Sequence, residues 1–221
     1  LDEARRLRLD GVELTGYYFK SMERPYLYNL KRLCLGRGLS IPMVSCGAHL
    51  WSPSREETKK DLEDVRRWAD AAYELGAPCL RVFGGRLPRS RSIPGYTLED
   101  AIKGVIEGGK ACAKYGAERG VVIALENHGA LPRLAEEVVR IIEGVGSEWF
   151  RLNLDTGHAG DRMYEDMERI APYAVHVHAK IRARPPTGAE RVEVDYKRVR
   201  RLLEKAGYNG WVSIEYEEKE D

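Results

Sequence analysis

The feature that most narrows the fold is a two-residue alternation inside short apolar runs. In 121–126, Val121, Ile123 and Leu125 take one face of an extended segment, while Val122, Ala124 and Glu126 take the other. Successive side chains of a strand must oppose each other. The split recurs with Leu152 and Leu154 against Asn153 and Asp155, Val175 and Val177 against His176 and His178, and Val212 and Ile214 against Ser213 and Glu215. An open doubly wound sheet buries both faces in aliphatics. One aliphatic face and one polar or small face fits a closed barrel with helices outside and a polar mouth. The runs end in Glu126, Asp155, His178 and Glu215. Hard-cation ligands at the ends of successive strands are what one metal at the carboxyl-terminal mouth of such a barrel requires.

Seven such runs, at 11–19, 40–46, 79–84, 121–127, 151–156, 174–180 and 211–216, alternate mostly with segments long enough for amphipathic helices. That order reads as repeated βαβ units around a parallel sheet. Ser54 with Glu57 fits a capping box, Thr97 with Asp100 is a related start signal, and Asp195 can cap a helix that Gly207 stops. The helix near 55–75 carries Leu62, Val65, Trp68, Ala69 and Ala72 at core-facing spacing, which makes Trp68 a packing residue. A complete eight-fold barrel opens with a strand and closes with a helix. Here the end of a helix at 2–9 comes first and little follows Glu217. The expected fold is therefore α/β, a TIM (β/α)8-type barrel that is a single domain over 1–221, lacking the first strand and the last helix.

Composition excludes several partners. Lys plus Arg number 36 and Asp plus Glu 35, a net charge of +1, so there is no global field to attract nucleic acid or an anionic membrane. No apolar run approaches the roughly 20 residues of a membrane span, and the amino terminus lacks the pattern of a signal peptide. Cys34, Cys46, Cys79 and Cys112 are widely spaced with no CxxC pair, which reads as reduced thiols in a cytoplasmic protein. Two basic loops, 84–92 with Arg86, Arg89 and Arg91, and 181–191 with Arg182, Arg184 and Arg191, are read either as anion-binding covers of the mouth or as solvated surface.

The segments GVEL (11–14), ALENHG (124–129), NLDTGHAG (153–160), HVHAK (176–180) and SIEYE (213–217), in this order, resemble the xylose isomerase-like TIM barrel superfamily. Within it they are similar to the sugar phosphate isomerase/epimerase group, which includes ketose 3-epimerases and inosose dehydratases. The resemblance implies one divalent metal held by Glu126, Asp155, His178 and Glu215. Three carboxylates and an imidazole suit Mn²⁺ first, with Mg²⁺, Co²⁺ or Zn²⁺ as alternatives. It implies Glu126 and Glu215 as the catalytic pair that moves protons α to a carbonyl, and His158 as a substrate contact. ENH at 126–128 departs from the Glu-Pro segment common in ketose epimerases.

Other candidates come from position. Lys180, just beyond His178, and Arg184 are read as contacts for substrate oxygens. His49 and Trp51 in GAHLW are pocket candidates, Trp51 as a stacking surface for a sugar ring. His176 lies one layer deeper than His178, as a substrate or supporting group or as barrel filler. His128 faces the mouth only if its strand continues. Glu13 and Arg81 fall on the interior face, as a structural ion pair or as substrate contacts. The expected function is a metal-dependent isomerase or epimerase of a keto-sugar or sugar phosphate, working through an enediolate. The alternatives are a dehydratase or lyase acting on a keto-inositol or 3-keto-glycoside, and a non-catalytic sugar-binding or scaffold barrel. The expected partners are a small carbohydrate and a second copy of the chain in a homo-oligomer.

Overall fold

The computed structural model describes residues 1–88, 90–157, 162–183 and 190–216. The strands in chain order are β1 (Leu14–Thr15), β2 (Met43–Trp51), β3 (Cys79–Gly85), β4 (Val122–Glu126), β5 (Phe150–Asp155), β6 (Ala174–Ala179), β7 (Arg182–Ala183), β8 (Val192–Glu193) and β9 (Trp211–Ile214). The helices are α1 (Asp2–Arg6), α2 (Arg24–Leu35), α3 (Arg55–Leu75), α4 (Leu98–Arg119), α5 (Ala135–Val145), α6 (Met163–Ile170) and α7 (Tyr196–Lys205). Seven strands form one sheet in the order β1, β2, β3, β4, β5, β6, β9, and every neighbouring pair is parallel. The apolar runs thus become the strands of an open α/β barrel. β1 and β9 are its edges, and among the described residues no strand precedes α1 and no helix follows β9.

The helix starts follow local chemistry. Thr97 and Asp100 complete a reciprocal capping box on α4, and the Asp195 carboxylate accepts from the amides of Lys197 and Arg198 on α7. Ser54 caps α3 by accepting from the Glu57 amide. Glu57 does not return the bond; its carboxylate accepts from Ser52 Oγ at 2.5 Å and ties the helix start to the end of β2. Trp68 packs edge-on against Phe19, with ring centroids 5.0 Å apart.

The alternation sorts the interior from the helical layer. Val44, Cys46, Leu80, Val82, Ile123, Leu125, Leu152, Leu154 and Val177 are buried in one cluster with residues of α3, α4 and α5. Each large aliphatic there contributes about 1.5–3 kcal/mol of burial, so this layer holds the barrel together. The opposite faces meet in a small apolar floor of Met43, Cys79 and Ala124, joined by Val122 and Val175. Val175 corrects the alternation: the ladder shifts register between Leu152 and Asn153, and Val175 joins the floor instead of the outer layer. Above the floor the interior is polar, with Ser45, Arg81, Glu126, Asn153, Asp155, His176 and His178 all buried.

Two arginines of the first basic loop serve the scaffold. Arg86 and Arg91 turn back to Asp61 on α3 and Glu137 on α5, while Arg89 lies outside the described residues. The stretch read as a second basic loop begins as β7 and runs into β8, an antiparallel ribbon. No helix among the described residues is long and apolar enough to cross a membrane. All four cysteines are buried free thiols.

Contact between β2 and α4 is close because α4 presents glycines. A Cβ on Gly108 would sit 2.3 Å from the Leu50 carbonyl oxygen, and one on Gly104 would sit 2.0 Å from Trp51 Cδ1. Gly108→Ala gains up to ~1 kcal/mol of helix propensity but drives a methyl into a backbone atom that cannot rotate away. The expected net effect is destabilisation by about 1–3 kcal/mol in urea unfolding.

Candidate metal centre

Asn127 extends the pairing of β4 with β5 past the end of β4. Its Nδ2 donates to the Asp155 carbonyl at 2.9 Å, and its Oδ1 accepts from the Asp155 amide at 2.8 Å. This side-chain rung fixes Glu126, His128 and Asp155 relative to one another. Asp155 stands opposite His178 in the ladder. The Glu215 amide donates to the Ala179 carbonyl at 3.0 Å, carrying the β6–β9 pairing one residue beyond Ile214. Asp155 Oδ1 accepts from the Gly157 amide at 2.7 Å. A Cβ on Gly157 would lie 2.5 Å from Lys180 Cδ, so a glycine there is what lets the lysine stem run past into the mouth.

The four run-ending residues converge on the interior face. His178 Nδ1 lies 3.0 Å from Glu215 Oε2 and 3.5 Å from Glu126 Oε1. Asp155 Oδ2 is 3.3 Å from Lys180 Nζ, which is itself 3.5 Å from Glu215 Oε2. His128 Nδ1 is 3.5 Å from Glu126 and 3.6 Å from Asp155. Two triads, Glu126 with His178 and Glu215 and Glu126 with His128 and Asp155, bring ligand atoms within 4.8 Å of one another. Glu126 Oε2 and Glu215 Oε2 are shut off from solvent and meet their basic neighbours as ion pairs, without an aligned hydrogen bond. Buried carboxylate oxygens gathered around an imidazole nitrogen fit a hard divalent cation well.

Charge is balanced by proximity. Burial raises the Glu126 carboxyl, but His128, His178 and Arg81 outweigh it and hold the group down to about 2. Arg81 Nε is 3.0 Å from Glu126 Oε2, and its NH1 donates to the Cys46 carbonyl. Glu13 and Arg81, read as possible partners, therefore serve different groups. Burial lowers His178, yet Glu126, Glu13 and Glu215 lift it well above the ordinary range. His128 is likewise lowered by burial and raised overall by Asp155 and Glu126, to about 9. His49 is pushed down to about 4 by burial and by Arg86.

The remaining candidates divide. Lys180 is 5% exposed and inside the cluster. His176 sits below it, its Nε2 2.7 Å from Ser213 Oγ. His49 reaches the mouth through a run of rings, 5.2 Å from Phe83, which is 5.0 Å from His128. Trp51 corrects the stacking expectation. Its indole lies outside the barrel, edge-on to Tyr96 and against α4, where Gly104 has no side chain to exclude it. His158 and Arg184 lie outside the described residues. Sequence reasoning missed Phe83 and Asn127. Phe83 continues the interior alternation of Cys79 and Arg81 and could have been found that way, whereas nothing in the pattern marks an asparagine that bonds backbone. The cluster opens onto a cleft of about 680 Å³ lined by Glu13, Phe83, Glu126, His128, His178 and Glu215 among others, a volume in the range of small-molecule sites.

Fold and cluster together define a parallel barrel with a polar, metal-competent mouth. The chain belongs to the xylose isomerase-like TIM barrel family, whose model matches residues 1–221. An inosose dehydratase from Geobacillus thermodenitrificans (strain NG80-2) is 27% identical over 86% of this chain and 73% of its own length. Two solved structures share the fold. A 3-keto-D-glucoside 4-epimerase from E. coli has a TM-score of 0.79 at 19% identity, covering 100% of this chain and 87% of that one. D-psicose 3-epimerase from Clostridium cellulolyticum H10 has a TM-score of 0.77 at 19% identity, covering 96% and 76%.

Two measurements probe this geometry. Asn127→Ala orphans the amide and carbonyl of Asp155 and should cost about 2–4 kcal/mol of stability in denaturant unfolding. The second rests on His128, whose value of about 9 in the folded protein exceeds its ordinary 6.5. A raised pKa stabilises the fold below pH 6.5, and that contribution is lost as pH rises through about 9. In EDTA-treated protein the melting temperature should fall across that window, and the fall should be smaller in His128→Asn.

Proposed function

We propose that this chain is a divalent-cation-dependent lyase that removes water from a polyhydroxy ketone of the keto-inositol or keto-sugar class. The observation that carries this reading is the placement, in one mouth, of a carboxylate at the cleft, Glu215, with two cationic donors, His128 and Lys180. The kinship with an inosose dehydratase supports it. Glu126, Asp155, His178 and Glu215 would hold the cation. When bound, it supplies Lewis-acid stabilisation of the negative charge that develops on the substrate's carbonyl oxygen.

The chain's own groups do the rest. Glu215, whose side chain is 31% exposed where that of Glu126 is 3%, is the base for the proton on the carbon α to the ketone. A carboxylate has two oxygens, so ligation through one leaves the other for this transfer. The C–H pair becomes the new carbon–carbon π bond, and the β-hydroxyl departs with its own bonding pair. His128, in its protonated form, gives that oxygen a proton and water leaves; its Nδ1 stands 3.5 and 3.6 Å from Glu126 and Asp155. Lys180 Nζ donates to a neighbouring substrate oxygen, and Phe83 with His49 forms the apolar wall behind the sugar carbons.

A second reading, epimerisation, is favoured by one distance pair: Glu126 and Glu215 approach His178 Nδ1 at 3.5 and 3.0 Å. Two carboxylates around one centre can remove a proton on one face and return it on the other.

Incubation with Mn²⁺ and a panel of keto-inositols and ketohexoses in D₂O separates the two. Dehydration yields a product that has lost water, whereas epimerisation yields an isomer carrying deuterium at the inverted carbon. Glu215→Gln should keep cation binding within about tenfold while turnover drops by roughly 10²–10⁴, and His178→Ala should lose cation and turnover together. His128→Asn should slow water loss by about 10²-fold or more while α-deuterium exchange continues. Full dehydration by His128→Asn, or full turnover by cation-loaded Glu215→Gln, would sink the assignment.

A further inference from the structure

Glu13 stands just ahead of β1, at one edge of the sheet, yet its carboxylate spans the interior to β6, beside the other edge. Its Oε2 lies 2.8 Å from His178 Nε2 and 3.3 Å from His176 Nε2. Its Oε1 accepts from Ser45 Oγ on β2. On the far side of the His178 ring, Nδ1 is 3.2 Å from Asn153 Nδ2 and faces Glu126 and Glu215. A carboxylate only accepts, so His178 Nε2 carries hydrogen. Nδ1 faces the carboxylates of Glu126 and Glu215, so with Nε2–H held by Glu13 it is the nitrogen left for a cation.

We propose that Glu13 is a positioning residue for the cation site, holding the His178 Nε2–H so that the Nδ1 lone pair points where Glu126 and Glu215 converge. Orientation of a ligating imidazole through its second nitrogen is a general device for raising metal affinity. Here it has an added effect. Glu13 precedes β1 at one edge of the sheet and His178 sits on β6 beside the other edge, so one hydrogen bond ties the cation site to the far side of the open sheet. The proposal rests on the cation site of the proposed function and on none of its chemistry.

The test is calorimetric titration of EDTA-stripped protein with Mn²⁺ alone, for the wild type, Glu13→Ala and Glu13→Gln, with melting temperatures taken with and without Mn²⁺. Glu13→Ala should bind about 10–100-fold more weakly, and the melting-temperature gain on adding Mn²⁺ should shrink. Glu13→Gln, which keeps an acceptor oxygen but not the charge, should fall in between, at about threefold or more. A merely structural role would lower the cation-free melting temperature and leave the affinity of the folded protein unchanged. Affinity within about twofold of wild type in folded Glu13→Ala overturns the inference. If that variant does not fold, wild-type affinity in Glu13→Gln does the same. A wild type that takes up no Mn²⁺ removes the cation site itself, and with it the proposed function.

Discussion

Carboxylates buried inside a barrel must find positive charge, and the interior of this chain is organised around that need. Glu13, Glu126, Asp155 and Glu215 project into the same end of the sheet. Placed there alone, each would face a desolvation cost of several kcal/mol. Arg81, His128, His178 and Lys180 meet them, each contacting at least one of these carboxylates at 3.6 Å or less. The apolar floor of Met43, Cys79 and Ala124 closes the barrel below, so the charges are gathered at the mouth. Where a carboxylate oxygen has an ion pair but no aligned hydrogen bond, as in Glu126 and Glu215, a small divalent ion is the kind of partner that completes it.

How much of this was legible depends on which physical signal each residue carries. Period-two alternation is a local steric property of extended chain, so the interior placement of Glu126, Asp155, His178 and Glu215 could be read from neighbours one and two positions away. Val175 escaped because β5–β6 shifts register, and a shift is set by the partner strand; Trp51 escaped because the room for its ring comes from Gly104 on a distant helix. Glu13 was seen on the interior face, as an ion-pair partner of Arg81 or a substrate contact, since parity gives a direction and no distance across the barrel. Asn127 left no signal because its bonds go to backbone. The β7–β8 ribbon was hidden for a related reason: strands of two residues are too short to show any period.

The mouth also shows how one scaffold can serve related reactions. Under the proposed function, the enolate-forming half of the chemistry needs a base and charge stabilisation on oxygen, and these would come from the strand ends of the barrel. The fate of the enolate turns on a proton donor near the β-hydroxyl. His128 fills that place under the proposed function, on the turn after β4, outside the strand proper. A change of outcome between elimination and inversion thus lies within reach of a few residues beyond the strand ends, with the barrel untouched.

The glycines of α4 carry a different consequence. With Gly104 and Gly108 in direct contact with Trp51 and the Leu50 carbonyl, the helix and the carboxyl end of β2 leave no room for a side chain between them. Any residue larger than glycine at 104 or 108 would first have to push β2 away from α4, so the variation this contact tolerates falls on loops beyond the strand ends.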